Sequence, residues 1–343
     1  MNPVLEIENL HTEIEGNGPP TRAVDGVSLE IRRGETFALV GESGCGKSMT
    51  ALSVMRLLPE AGRITAGSVR VHGEDVLAMS EAQMRDVRGR RIAMIFQEPA
   101  TSLNAVMTVG RQIEEVLERH LGLSGAKARE RAVSLLDAVG VPDAPRRIDE
   151  YPFQLSGGLK QRVMIAMALA AEPDVLVADE PTTALDVTVQ AQILDLIGEQ
   201  RRERNMSVVL VTHDLGVVAG HTDEIAVMYG GKLVEKAPTK RLFAAMKMPY
   251  TEALLASIPK MADSSHTWLN VIPGRPPDLV NPPTGCRFAP RCPYARERCT
   301  AEEPPLTVTP DDPSHSFACW YPVGSPEYHE SRARIAAGKV EAA

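Results

Sequence analysis

The chain is 343 residues long, 43% hydrophobic and 24% charged, with a formal net charge of −8 and a pI near 5.6. That length suits two globular domains or one large one, and the acidic balance argues against a non-specific binder of DNA or RNA. The longest unbroken apolar run, Val163 to Ala171, has nine residues, about half of what a membrane span requires, and the first residues lack the basic-then-apolar layout of a secretory leader. A cytoplasmic protein is expected.

In chain order, residues 4–14 and 22–33 read as two strands separated by the loop Gly16-Asn17-Gly18-Pro19-Pro20. Phe37-Ala38-Leu39-Val40 is short and wholly apolar, as a buried parallel strand should be. It runs directly into Gly41-Glu42-Ser43-Gly44-Cys45-Gly46-Lys47-Ser48, which matches the phosphate-binding pattern G-x-x-x-x-G-K-[ST] at every fixed position. An apolar-striped helix from Ser48 to Leu58, stopped by Pro59, completes the strand, loop and helix that the motif needs. Glycines let the backbone wrap round phosphates, so that its N–H groups and the helix N-terminus face the anion. Lys47 would reach the β- and γ-phosphates and the Ser48 hydroxyl would bind Mg²⁺, with Met49 next on the same helix. The chain is expected to bind a nucleoside triphosphate.

Residues 69–77 and 91–97 add strand candidates, and from Glu98 to Pro152 apolar residues recur at helical spacing (Ile113, Val116, Leu117; Val133, Leu136, Val139). We therefore place a helical insertion at about 98–165 inside one α/β domain. The α/β pattern returns with apolar strands at Val175–Ala178, Val208–Val211 and Ile225–Met228, and a helix around Val189 to Gln200. The basic run Arg201-Arg202-Glu203-Arg204 reads as the solvated end of that helix. After about Pro249 the texture turns Pro-rich and irregular, which divides the chain into residues 1–250 and a tail, 251–343.

Asp179-Glu180 closes an apolar strand, the place where a doubly wound fold holds Mg²⁺ beside the phosphate loop. Asp179 would hold the ion and Glu180 would polarise an attacking water as general base. Leu155-Ser156-Gly157-Gly158-Leu159-Lys160-Gln161-Arg162 offers a second anion site: Ser156 is a good N-cap, and the two glycines expose N–H groups at the start of a long apolar helix.

With this stretch the sequence resembles the ATPase subunits of ATP-binding cassette (ABC) transporters, whose signature begins L-S-G-G. The other family motifs stand in order: Gln97 as the Q-loop glutamine, Ala184-Leu185-Asp186 as the D-loop, and His213 as the switch histidine. The resemblance covers roughly residues 1–250. It implies a P-loop NTPase fold with a RecA-like core, an N-terminal antiparallel β-subdomain and the helical insertion. Catalysis would fall to Glu180, His213 and Gln97, and Mg²⁺ to Ser48, Gln97 and Asp179. Leu155, Ser156, Gly157, Gly158, Lys160 and Gln161 would contact the ATP held by a second ATPase subunit, so that two chains sandwich two ATP molecules before hydrolysis. Gln97 and Glu98 to Gly110 would face the membrane subunits. The family usually stacks an aromatic residue on adenine near the end of the first strand, whereas Leu10-His11-Thr12-Glu13-Ile14 holds none; His11 or Ile14 packs on the base, or the contact comes from elsewhere.

Pro249-Tyr250-Thr251-Glu252-Ala253-Leu254-Leu255, Ile272-Pro273-Gly274 and Gly285-Cys286-Arg287-Phe288-Ala289-Pro290-Arg291-Cys292 resemble the carboxyl extension of oligopeptide and dipeptide importer ATPases, shared with importers of nickel and glutathione. The resemblance implies a peptide importer with a second, non-identical ATPase, two membrane permeases and an extracytoplasmic binding protein, the chain lying on the cytoplasmic face of the inner membrane. A soluble ABC ATPase acting on DNA or ribosomes, or an exporter, would be the other readings. Cys286, Cys292, Cys299 and Cys319 have spacings that do not fit common zinc patterns. Subfamily members with these cysteines carry a [4Fe–4S] cluster; by ligand count and spacing, iron–sulfur, zinc and unliganded thiols all stay open. Cys45 lies in the phosphate loop, where alkylation is expected to block ATP binding.

Overall fold

A computed structural model describes residues 3–182, 187–258 and 271–338. Its strands are, in chain order, β1 (Leu5–Ile14), β2 (Thr21–Ile31), β3 (Thr36–Val40), β4 (Gly62–Val71), β5 (Glu74–Asp75), β6 (Ile92–Ile95), β7 (Val175–Asp179), β8 (Ser207–Thr212), β9 (Glu224–Tyr229), β10 (Lys232–Pro238), β11 (Thr307–Thr309) and β12 (Asp312–Phe317). They form a four-stranded antiparallel sheet, β2-β1-β4-β5, and an eight-stranded sheet, β11-β12-β10-β9-β3-β8-β7-β6. In the larger sheet β6, β7, β8, β3 and β9 run parallel, with Val40 opposite both Thr212 and Val227. The carboxyl ends of β3, β7 and β8 therefore lie side by side.

These strands are continuous apolar runs because each face packs its own core. Ala38 and Val40, with Ala93, Ile95, Leu176 and Ala178, face the helices. Phe37 and Leu39, with Ile92, Met94, Val175 and Val177, face the antiparallel sheet. The helical insertion is built on the first of these cores: helices Val109–Leu121 and Gly125–Ala138 bury Ile113, Leu117, Leu135 and Leu136 against the helix Gly157–Leu169.

Three stretches differ from the sequence expectation. The helix after the phosphate loop ends at Met55, not Leu58: Arg56 turns left-handed, at φ 51°, and its guanidinium reaches the carbonyls of Val76 and Met79. That tertiary anchor outweighs the apolar Leu57 and Leu58. The strand expected over 69–77 begins at Gly62, because β4 follows β1 along its whole length in spite of polar Arg63, Thr65 and Ser68. In the tail, β11 and β12 extend the main sheet through Glu235 and Lys236 of β10, opposite Phe317 and Ser316. The basic run at residues 201–204 does close a helix, Val187–Arg204.

The tail is fixed by an aromatic plug and by buried charge. Phe288 is fully buried, edge-on to Tyr229 at 5.3 Å and tilted against Tyr250 at 5.2 Å between ring centroids. His315 Nε2 lies 2.7 Å from Glu235 Oε1, both side chains without solvent contact, and Glu235 also accepts the N–H groups of Lys247 and Met248. Phe288→Ala is expected to lower the unfolding free energy of the full chain by about 3–5 kcal/mol. Denaturant titration checks this, and a loss under about 1 kcal/mol would mean the ring does not anchor the tail.

Candidate active site

The phosphate loop is the turn from β3 into the helix Lys47–Met55, and it is packed so closely that two positions admit only glycine. A Cβ at Gly41 would enter the Met228 carbonyl, and one at Gly46 (φ 106°) would enter the Ala23 carbonyl. Lys47 is buried, and its ammonium donates to the carbonyls of Gly41 (2.8 Å) and Glu42 (2.9 Å), which hold the cation at the loop. Cys45 is also buried, 3.8 Å from Lys47 Nζ, and burial pushes its thiol pKa up. An inaccessible, protonated thiol is a poor nucleophile, so the expected alkylation does not reach it in the folded chain.

Ser48 opens the helix and donates its hydroxyl to Asp179 Oδ1 at 3.0 Å, across the strand ends. Asp179 is 5% exposed; burial raises its pKa, and the neighbouring Glu180 adds to the rise. A carboxylate destabilised in this way, beside a hydroxyl, is a hard-oxygen pair suited to a divalent cation, which restores the missing counter-charge. Ser48 and Asp179 would hold Mg²⁺.

Glu180 occupies a left-handed backbone position, φ 45°, tied by its N–H to the Val211 carbonyl. Its carboxylate meets Gln97 Nε2 at 2.9 Å and His213 Nδ1 at 3.1 Å. Gln97 follows β6, Glu180 follows β7 and His213 follows β8, so the parallel register brings all three predicted catalytic residues together. Gln97 is placed through Glu180 rather than directly on the Ser48–Asp179 pair.

The L-S-G-G stretch forms a capped helix N-terminus. Ser156 caps the helix Gly157–Leu169 by accepting the Leu159 N–H, and Gly157 faces open space. Leu155 is buried beneath it, and Gln161 donates to the Pro181 carbonyl at 2.6 Å, linking this helix to the turn after Glu180. Lys160 is half-buried on the helix's first turns. Ala184, Leu185 and Asp186 lie outside the described residues. His11 is engaged by Asn9 Oδ1 (3.1 Å) and Asp25 Oδ1 (3.2 Å), while Ile14 ends β1 opposite Thr21.

Among the described residues no three His, Cys, Asp or Glu side chains converge as a single metal ion requires. The four tail cysteines are free thiols; Cys286, Cys292 and Cys319 pack against the core, and Cys292 is close enough to interact electrostatically with the other three. Burial pushes Cys286 to about 11 and Cys319 to about 12, and Cys292 upward as well. Nearby backbone amides, of Phe288 and Ala289 for Cys286, Tyr294 for Cys292 and Tyr321 for Cys319, offset part of that rise. Four thiols are a soft donor set.

Sequence reasoning missed the tail residues at the loop itself. Arg291 forks onto the Glu42 carboxylate, Tyr250 Oη accepts the Glu42 N–H, and Arg287 bonds Asp25 and the Gly230 carbonyl. No local pattern marks them, since an arginine beside a cysteine carries no spacing rule.

Comparison with known proteins agrees with this geometry. Residues 24–183 match the ABC transporter family, and residues 234–299 match the oligopeptide/dipeptide transporter C-terminal region. The chain is 49% identical over 321 residues to the dipeptide transport ATP-binding protein DppD of Bacillus subtilis (strain 168), covering 93% of this chain and 95% of that one. It is 50% identical over 307 residues to a putative peptide import ATP-binding protein of Brucella abortus (strain 2308), covering 90% and 92%. Among solved structures, the dimeric post-hydrolysis state of the ATP-binding cassette MJ0796, bound to ADP and Pi, superposes with a TM-score of 0.63 at 28% identity, over 68% of this chain and 98% of that one. The cbiO1 subunit of the cbiONQ ABC transporter complex of Clostridium perfringens gives a TM-score of 0.61 at 26% identity, over 71% and 92%. The chain belongs to the ABC transporter family, as an ATP-hydrolysing, ATP-binding subunit that carries the oligopeptide/dipeptide transporter C-terminal region.

Proposed function

We propose that this subunit drives import of peptides. The observation that carries the reading is one chain joining the Lys47, Ser48, Asp179, Glu180 and His213 constellation to a tail that matches the oligopeptide/dipeptide region over residues 234–299. Nickel or glutathione import by the same architecture is the alternative substrate reading.

In the proposed cycle, the β- and γ-phosphates of ATP lie on the N–H groups of residues 41–48, and Lys47 exchanges its carbonyl partners for phosphate oxygens. Mg²⁺, once held, neutralises charge developing on the phosphates. Glu180 takes a proton from the attacking water while His213, its Nδ1 3.1 Å from Oε1, orients the carboxylate. Gln97 steadies the other carboxylate oxygen. The exposed Gly157 end supplies N–H donors to the γ-phosphate of a second chain, so hydrolysis follows pairing of two cassettes; that partner is a non-identical homologue.

Two permeases, an extracytoplasmic binding protein and a place on the cytoplasmic face of the inner membrane complete the assembly. Among the described residues no helix is long and apolar enough to cross a membrane. Exposed apolar side chains on the helical insertion support permease docking there: Val106 is 83% exposed and Phe153, stacked on Tyr151 at 5.5 Å, is 69% exposed. Val106 lies within Glu98 to Gly110, the proposed coupling surface.

Cys286, Cys292, Cys299 and Cys319 are assigned to a [4Fe–4S] cluster, supported by four thiols of which Cys292 lies near enough to interact electrostatically with the other three. Bound there, it would cross-link a segment that has little core of its own.

Affinity purification from native membranes should recover two permeases, a sister ATPase and a peptide-type binding protein, and the reconstituted complex should import labelled di- or oligopeptides; a soluble partner without permeases would sink the reading. Glu180→Gln should lower kcat by about 10²–10⁴-fold and trap an ATP-bound dimer, seen by gel filtration. Anaerobically purified chain should contain iron and acid-labile sulfide near four each per chain, and iron at background level would remove the cluster.

A further inference from the structure

The second residue of the phosphate loop is an acid, in a loop whose work is to bind an anion. Glu42 is restrained at three points. Its N–H is accepted by the buried Tyr250 Oη at 2.9 Å, its carbonyl accepts Lys47 Nζ at 2.9 Å, and its carboxylate receives both arms of one guanidinium. Arg291 Nη1 reaches Oε2 at 2.6 Å and Nη2 reaches Oε1 at 2.9 Å, a planar fork-to-fork pair. The Arg291 side chain is 4% exposed, and its remaining donors are used on Tyr229 Oη and the carbonyls of Pro273 and Ile272. It therefore has one orientation available.

We propose that Arg291 is a positioning residue for nucleotide binding: it holds the Glu42 carboxylate neutralised and turned to the tail, so that the phosphate loop presents donors and no free negative charge to ATP. The physical ground is electrostatic. An unpaired carboxylate within the loop repels the β- and γ-phosphates, and in a partly desolvated site that repulsion is weakly screened. The pairing also fixes the residue whose carbonyl anchors Lys47. The tail, which sequence reading sets apart as a separate segment, thereby becomes part of the ATP site. The proposal rests on nucleotide binding at residues 41–48 and is independent of what is transported or what the thiols hold.

The test uses the full-length chain with trinitrophenyl-ATP as the binding probe, and the assembled complex for ATPase kinetics. Arg291→Met should weaken probe binding and raise the KM for ATP by roughly tenfold, with kcat within about twofold of wild type. Adding Glu42→Gln to Arg291→Met removes the stranded charge and should restore most of the affinity, which a purely structural role for Arg291 would not do. Should Arg291→Met unfold, Arg291→Lys retains the charge without the fork and should show a smaller rise in KM. Wild-type affinity in Arg291→Met, or in Arg291→Lys where Met unfolds, would overturn the proposal; so would a double variant as impaired as Arg291→Met. A wild-type chain that bound no probe would overturn it together with the nucleotide reading, so the two failures are distinguishable.

Discussion

A loop that binds an anion with its own backbone must turn most of its N–H groups toward the anion, and so has few left to hold itself together; the Cys45 N–H onto the Glu42 carbonyl is one. The phosphate loop meets this constraint by being gripped from outside. Gly41 and Gly46 pack directly onto the carbonyls of Met228 and Ala23, which belong to β9 and β2 on either side. Thr50 Oγ1 bonds the Gly46 carbonyl, the Gly231 N–H bonds the Cys45 carbonyl, and Tyr250 accepts the Glu42 N–H. Both sheets and the tail are therefore parts of one clamp. The two-core arrangement follows from it: β3 must be buried on both faces to hold the loop still, and that requires helices on one side and the antiparallel sheet on the other.

The same economy governs charge. The site holds Lys47 and Asp179 buried and Glu180 on strained backbone, none of which favours folding. Each is kept by a short local partner: carbonyls for Lys47, the Ser48 hydroxyl for Asp179, and Gln97 with His213 for Glu180. Those partners are the groups that ATP and Mg²⁺ replace or reorganise. The side chains thus already have the charge layout that the nucleotide completes.

Much of this was legible in the sequence. Phe37–Val40, Val175–Ala178 and Val208–Val211 announce themselves because a strand buried on both faces has no polar positions. The phosphate loop and the L-S-G-G stretch are legible because binding phosphate fixes glycines, a lysine and a hydroxyl at set spacing. The end of the first helix was not, since Arg56 finds its partners, Val76 and Met79, some twenty residues away. Nor were the tail strands: Asp312-Pro313-Ser314-His315-Ser316-Phe317 has no strand pattern, and it is held by β10 and by the buried Glu235 that His315 meets. The Arg291–Glu42 pair is illegible for the same reason, being a contact between residues 249 positions apart.

The β10–β12 pairing also sets an order of assembly. Glu235 and Lys236 form ladder pairs with Phe317 and Ser316, so on a ribosome the edge of the main sheet stays open until the tail has been made. Until then Glu235 is a carboxylate facing an apolar edge, a charged guard against pairing with the wrong strand. When His315 arrives the guard becomes a buried bond, and a stretch made 80 residues after Glu235 closes the sheet.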